Sequence, residues 1–252
     1  MAQRKGALKV ASQDADDAPQ HRGAGNLFDA AYLKIEELLV NCTLKPGRFL
    51  TVQELQDLTG FGRTPVHSAV NRLATDTLII IRPRHGLQVA PIDLTRERLL
   101  LALRRDIERF VVRLAAERAS LSHRNQMQQI ERALSERRAS VSIDEFNQLD
   151  RRIDALILAA SGEPFLVHTM RPLHTIYRRI GYIYHQLLPG HDLTGTVDRH
   201  LAILNAVAGR RAASAVKASD TLIDFMDQMF ADMSDGIDPA LLDCNIEPLP
   251  LT

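Results

Sequence analysis

The stretch Gly62-Arg63-Thr64-Pro65-Val66-His67-Ser68-Ala69-Val70 decides the fold of the first third of the chain. Pro65 suits the first turn of a helix, where its missing N–H costs nothing, and Thr64 is a candidate N-cap. Val66 and Val70 recur at helical spacing, as the inner face of an amphipathic helix does. The stretch therefore predicts a helix that begins abruptly at residue 63 or 64.

Further regular elements are predicted on both sides of this helix. Residues 27–42 have apolar side chains at helical spacing, and Lys45-Pro46-Gly47 ends that pattern. Thr51, with Glu54 three residues later, forms a capping-box pattern before a short helix over 52–58. Strands are predicted over 78–81 and 87–90, joined by a turn. Helix, short helix, helix and two strands is the order of a winged helix-turn-helix.

The rest of the chain predicts helices without a convincing strand. Beyond a stripe that begins at Leu99, helices are predicted near 124–138, 143–160, 163–187, 195–208 and 211–232. The fold class is thus mainly α, with an N-terminal winged helix-turn-helix followed by an all-α bundle. The predicted domains are a flexible arm (1–25), a winged helix-turn-helix domain (26–92), an all-helical domain (93–233) and a tail (234–252).

Composition excludes several classes of protein. The 252 residues include 31 basic and 31 acidic side chains, 45% are hydrophobic and 25% charged, which fits neither a disordered nor a collagen-like chain. Two cysteines are too few for a disulfide framework. No apolar stretch approaches the roughly 18 residues of a membrane span, and no secretory signal begins the chain, so a cytoplasmic protein is expected. Residues 45–91 carry 6 basic and 3 acidic residues, so the overall neutrality hides a basic segment.

A helix-turn-helix places the start of its second helix in the DNA major groove. Arg63 lies there and can donate two hydrogen bonds to guanine. Gly86 lets the tip of the wing approach the DNA closely, although a basic turn can also be no more than a solvated loop. The predicted DNA-binding residues are Lys45, Arg48, Gln53, Arg63, Thr64, Pro65, His67, Ser68, Arg72, Arg84, His85 and Gly86.

The runs 44–50, 54–55, 62–70, 72–73 and 82–89 resemble the DNA-binding domain of the GntR family of bacterial transcription regulators, over residues 27–91. The helical part resembles the FCD (FadR C-terminal) effector domain of the FadR subfamily, over 97–232. The resemblance implies a ligand-responsive regulator and not an enzyme, with repression as the family's common habit. It also implies a homodimer on a two-fold symmetric DNA site.

Four residues depart from the family pattern in the DNA-binding part. Gln53 stands where Arg or Glu is common, His67 replaces Arg, Ser68 replaces Glu, and Thr77 replaces Gly before the first wing strand. The Arg-Thr-Pro core is kept, so an altered operator sequence is expected.

Asp150 and Asp154 are four residues apart and share one helix face. They resemble the segment in which many FCD domains bind a divalent metal, with Asp154 in the place of a histidine. His200 matches a second histidine of that set, and Leu222, which cannot ligate, stands at the third. The three remaining candidates would suit Mn²⁺ better than Zn²⁺ or Ni²⁺. The alternative is that the two carboxylates pair with arginines and that His200 is a satisfied polar residue.

Arginines in the helical part indicate an anionic effector. Arg104 resembles the family's effector-side arginine, whose planar fork suits a carboxylate. Arg178 and Tyr182 lie on a helix that usually lines the family's cavity. These residues imply a small anionic metabolite such as an organic acid, unless the arginines are exposed.

Two other functions fit parts of the sequence. Asp150, Asp154 and His200 are compatible with an all-α metal-dependent enzyme, but no nucleophile motif or phosphate loop accompanies them. A helical signalling module without DNA binding would leave the basic wing without a role.

Overall fold

The computed structural model describes residues 20–188, 190 and 192–246. The first part is a three-helix domain with a small sheet, as predicted. Its elements are α1 (Gln20–Val40), β1 (Phe49–Leu50), α2 (Val52–Thr59), α3 (Arg63–Thr75), β2 (Ile79–Arg82) and β3 (Gly86–Val89).

Local capping residues mark both ends of α2 and the start of α3. The amide of Glu54 donates to Thr51 Oγ1 (3.1 Å) and the amide of Thr51 donates to Glu54 Oε2 (2.7 Å), which confirms the predicted capping box. Gly60 ends α2 with a left-handed φ of 73°. The N-cap of α3 is Gly62, so the expectation that Thr64 caps this helix is wrong. Arg63 is already helical, and therefore both Arg63 and Thr64 lie in the first turn.

The wing is a three-stranded antiparallel sheet in the order β1-β3-β2. The sequence predicted β2 and β3 but not β1, which has only two residues and is too short to show an alternating pattern. Leu50 pairs with Leu87. A Cβ on Gly86, whose φ is 84°, would lie 2.9 Å from the backbone oxygen of Leu50. Glycine therefore allows β1 to close against the wing.

The remainder is the predicted helical bundle, with shifted boundaries. Helix α7 does not continue to residue 187 as an α-helix, because its last turn is a π-helix over Ile183–Leu187. The elements are α4 (Leu94–Arg118), α5 (Leu121–Glu136), α6 (Ile143–Ser161), α7 (Pro164–Tyr182), α8 (Thr194–Ala208), α9 (Ala212–Gly236) and α10 (Pro239–Leu242).

Both ends of the described chain differ from expectation. Helix α1 begins at Gln20, so residues 20–25 of the predicted arm are helical, and residues 1–19 lie outside the described residues. The predicted tail returns to the first domain, where the amide of Ile92 donates to the Leu242 carbonyl (2.9 Å) and that of Cys244 to the Pro46 carbonyl (2.9 Å). None of the described helices combines the length and apolarity that a membrane span requires.

Candidate DNA-binding surface and effector cavity

The start of α3 presents a polar edge to solvent. Arg63, Thr64, His67 and Ser68 are exposed, and Pro65 is half-buried. The guanidinium of Arg63 forms no hydrogen bond or ion pair with another described side chain. The opposite face of α3 is fixed by the buried side chains of Val66, Ala69, Val70 and Leu73.

The remaining predicted DNA contacts surround this edge on α2 and the wing. Gln53 is exposed but donates to Asp57 Oδ1 (2.9 Å), and Arg48 pairs with Glu54 (3.5 Å). Both interactions would have to be exchanged for contacts with DNA. Lys45, Arg84, His85 and Gly86 are exposed.

Arg72, which was also predicted to contact DNA, lies against α1. Its Nη1 lies 3.3 Å from Asp29 Oδ1, and its guanidinium stacks over the ring of Tyr32 at 4.4 Å. Both partners are on α1, so Arg72 joins α3 to α1. Asn71, which was not predicted, is exposed and lies 3.2 Å from His67 Nδ1. Its spacing of four residues from His67 was the signal that could have identified it.

The helical domain contains an inner cavity of about 40 Å³, which is room for only a few water molecules. Methionines form part of its wall, and their flexible side chains can adapt to a ligand. The predicted residues that line this inner cavity are Arg104, Asp150, Arg178, His200 and Leu222. Residues not predicted there include Phe146, Asn147, His174, Tyr177, His185, Thr196, Met226 and Met229.

Asp150 and His200 form a buried pair beside the inner cavity. His200 Nε2 lies 3.0 Å from Asp150 Oδ1, although this oxygen has no partner at a hydrogen-bonding angle, and His200 Nδ1 lies 2.8 Å from the Thr196 carbonyl. Burial opposes ionisation of Asp150, but the charge of His200 and that of Arg178 hold its pKa well below the usual range. Burial likewise opposes protonation of His200, and Asp150 raises its pKa. Each side chain of the pair therefore favours the charged form of the other.

Asp154 does not join that pair in lining the inner cavity. Its Oδ2 lies 3.2 Å from Arg178 Nη1 and 3.3 Å from His174 Nδ1. Burial, reinforced by the charge of Asp150, raises the pKa of Asp154 to about 6. The three predicted metal ligands consequently do not converge. Over the described ranges, no three His, Cys, Asp or Glu side chains are grouped to hold a metal ion.

Arg178 joins the two domains. Its Nη1 donates to Asp154, while its Nη2 donates to Glu36 Oε1 (3.3 Å) on α1 and to Thr175 Oγ1 (3.1 Å). Glu36 is only 2% exposed and also accepts hydrogen bonds from Thr175 Oγ1 and from Arg151 Nη1 (3.4 Å). These partners of Glu36 all belong to the helical domain. Sequence reasoning missed Glu36 because a charge on an amphipathic helix normally faces solvent.

Arg104 lies at the inner cavity, but its charge is already balanced. Its Nε donates to Glu108 Oε2 (3.3 Å), and the same oxygen lies 3.0 Å from His174 Nε2. Burial opposes ionisation of Glu108, yet His174 and Arg104 hold its pKa at about 2. Tyr182, predicted as an effector contact, is half-buried against the helical core and does not line this cavity. Tyr177 does so instead.

Comparison with known proteins agrees with this geometry. Residues 27–89 match the family described as bacterial regulatory proteins, gntR family, and residues 99–225 match the FCD domain. The chain belongs to the GntR family. It has the FCD effector domain of that family, which consists of transcription regulators and not of enzymes. The protein is therefore a ligand-responsive, DNA-binding transcriptional regulator.

The individual proteins that resemble this chain are only distantly related to it. The HTH-type transcriptional repressor RspR of Escherichia coli K12 is 28% identical over 184 residues, 71% of this chain and 78% of that protein. The regulator YdfH of Shigella flexneri matches to the same extent. Among solved structures, E. coli McbR/YncC superposes with a TM-score of 0.70 at 18% identity, covering 82% of this chain and 98% of that one. A GntR regulator from Rhodococcus sp. RHA1 gives 0.60 at 18% identity, over 84% and 97%. At these identities the two structures show a shared fold.

Proposed function

We propose that this regulator reads its operator through the exposed start of α3. The observation that carries the proposal is Arg63, which is exposed, lies in the first helical turn and has no partner among the described side chains. Arginine in such a position donates two hydrogen bonds from its planar guanidinium to guanine in the major groove. His67 and Asn71 follow on the same helix face and extend the contact, and Arg84 and His85 reach the backbone from the wing.

Two copies of the chain act together on a two-fold symmetric operator. The support is an exposed apolar stripe on α4, where Leu99, Leu103 and Phe110 are 74%, 51% and 47% exposed. Large exposed apolar patches mark interaction sites. Because a dimer with two-fold symmetry places two recognition helices in successive major grooves, each operator half-site receives one copy of Arg63.

The regulator represses transcription in the cytoplasm and responds to a small organic acid. The relative RspR carries the name of a repressor, which supports the sign of regulation. The inner cavity beside Arg104 and Arg178 accommodates a carboxylate once Met226 and Met229 move aside. Arg178 connects the inner cavity to the DNA-binding domain, since the same guanidinium donates a hydrogen bond to Glu36 on α1.

Gel shifts with the DNA that flanks the protein's own gene test this function. We expect a discrete complex with the full-length protein, weakened about 5–150-fold by one member of a panel of small organic acids, the usual range of allosteric coupling. The neutral amides of the same acids serve as controls and should leave the complex unchanged. A protein that binds no sequence more tightly than random duplex would contradict the proposal.

A divalent metal is a weaker candidate for the inner cavity than an organic acid. Asp150 and His200 face it, but Asp154 is held by Arg178 and His174, and the apolar Leu222 occupies the remaining position. These residues do not fit a metal, because no three carboxylates or imidazoles of the described residues are grouped to hold one and the cations Arg104 and Arg178 lie nearby.

The variant Leu222→His tests that conclusion. We expect no saturable binding of Zn²⁺, Ni²⁺ or Mn²⁺ to the natural protein by calorimetry, and Zn²⁺ binding by Leu222→His, because an imidazole then joins Asp150 and His200 around the inner cavity. Leu222→Met, which keeps the size of the side chain but offers no imidazole, is the matched control. Stoichiometric metal in the natural protein would refute the expectation and restore the metal as cofactor.

A further inference from the structure

A second and larger space lies between the two domains. This interdomain groove, bounded by α1, α6 and α7, has a volume of about 400 Å³, whereas the inner cavity has about 40 Å³. Ligand pockets in proteins typically measure about 300–1,000 Å³. The interdomain groove can therefore take a small molecule without rearrangement, and the inner cavity cannot.

The lining of the interdomain groove combines arginines with apolar side chains and two carboxylates, Glu36 and Asp154. Arg152 and Arg171 line it without forming an ion pair with a carboxylate of the described residues, although Arg171 lies 6.0 Å from the centre of the Tyr32 ring and its charge acts on Asp76. Apolar side chains such as Leu158 and Val167 also line it. An anion with a short apolar body matches this combination, since arginine forks bind carboxylates in a bidentate manner.

A buried ring nitrogen that makes no hydrogen bond with the described residues borders the same space. His174, 3% exposed, lines both the inner cavity and the interdomain groove, and its Nδ1 makes no hydrogen bond, although Asp154 Oδ2 is 3.3 Å away. Buried polar atoms in folded proteins normally have partners. An unsatisfied one beside a cavity indicates that a polar group of a ligand or a water belongs there.

We propose that the interdomain groove is a second ligand site, for a carboxylate with a short apolar body held by Arg152 and Arg171. Such a ligand contacts α1 of the DNA-binding domain on one side and α6 and α7 on the other. Arg178 and Glu36, whose contact joins the domains, both line the groove. Occupancy of this site thereby controls how the DNA-binding domain is held, through the same Arg178 that borders the inner cavity.

Calorimetric titration of the full-length protein with hexanoate tests the proposal. We expect saturable binding of hexanoate and binding about tenfold or more weaker for acetate, which lacks the apolar body, and for neutral hexanamide, which lacks the charge. The double variant Arg152→Gln/Arg171→Gln should lose hexanoate affinity by at least the same factor.

His200→Gln, which alters only the inner cavity, should bind hexanoate like the natural protein. If His200→Gln fails to fold, Met229→Leu replaces it, because Met229 also lines only the inner cavity.

The opposite pattern would overturn the proposal. Binding that survives in the double variant but fails in the inner-cavity variant would place the ligand in the inner cavity. Absence of saturable hexanoate binding would also overturn the proposal. The same holds for concentration-dependent dimerisation in which a second copy of the chain covers the interdomain groove. Gel shifts on the same samples distinguish failure of the second ligand site from failure of the proposed function. Operator binding by the natural protein does not depend on hexanoate, so it persists when only the proposal for the groove is wrong.

Discussion

The Arg63→Ala variant is expected to lose sequence-specific operator binding while keeping its fold. Arg63 is exposed and has no partner among the described side chains, so its removal leaves the packing of α3 intact. A bidentate contact to guanine is worth about 1–3 kcal/mol. Because a dimer has two such contacts, the loss of binding free energy should be about 2–6 kcal/mol per dimer. Fluorescence anisotropy with operator and scrambled duplexes measures the change in affinity and in specificity separately.

Two further variants determine how the Arg63 result is interpreted. Arg63→Lys keeps the positive charge but loses the planar fork, so it should retain binding to scrambled DNA and lose the preference for the operator. Arg132→Ala removes an exposed arginine from α5, in the helical domain, and should behave like the natural protein. An Arg63→Ala protein with unchanged affinity and an unchanged footprint would place sequence recognition elsewhere.

Local signals in the sequence sufficed to predict the DNA-binding domain. The capping box at Thr51, the Arg-Thr-Pro helix start and the turn at Gly86 each act within a few residues, where backbone chemistry decides the structure. The errors were equally local. Thr64 and Gly62 are both acceptable caps by sequence, and only the backbone conformation distinguishes them.

The cavity residues were harder to predict because their partners are distant in sequence. Asp150 and Asp154 share a helix face by spacing, yet one pairs with His200 and the other with Arg178 and His174. Spacing along a helix does not say which neighbouring helix each side chain meets. The contact of Glu36 with Arg178 spans 142 positions and the boundary between two domains, so no local pattern could reveal it.

The Arg178→Met variant is expected to be strongly destabilised and to lose its response to ligand. Methionine retains much of the side-chain volume but leaves Glu36 and Asp154 buried without the guanidinium they share. Removal of one partner from a buried ion pair costs about 3–5 kcal/mol. Urea unfolding measures this loss, and gel shifts with the effector acid measure the response. Operator affinity without ligand should be largely retained, because Arg178 is on α7 in the helical domain whereas the operator is read from α3.

The pH dependence of the loss in unfolding free energy shows whether Arg178 stabilises the fold through its charge or through packing. Burial and the charge of Asp150 raise the pKa of Asp154 to about 6, above its unfolded value of about 4, and loss of the Arg178 charge raises it further. Groups with raised folded-state pKa values stabilise the fold below the unfolded pKa, and this stability is lost as the pH rises through the folded pKa. The difference in unfolding free energy between Arg178→Met and the natural protein should therefore shrink between pH 7.5 and pH 5. The double variant Glu36→Gln/Arg178→Met, with one buried charge fewer, should be less destabilised than the sum of the single variants by about 0.5–3 kcal/mol. A loss that is constant with pH and additive would show that Arg178 acts through packing alone.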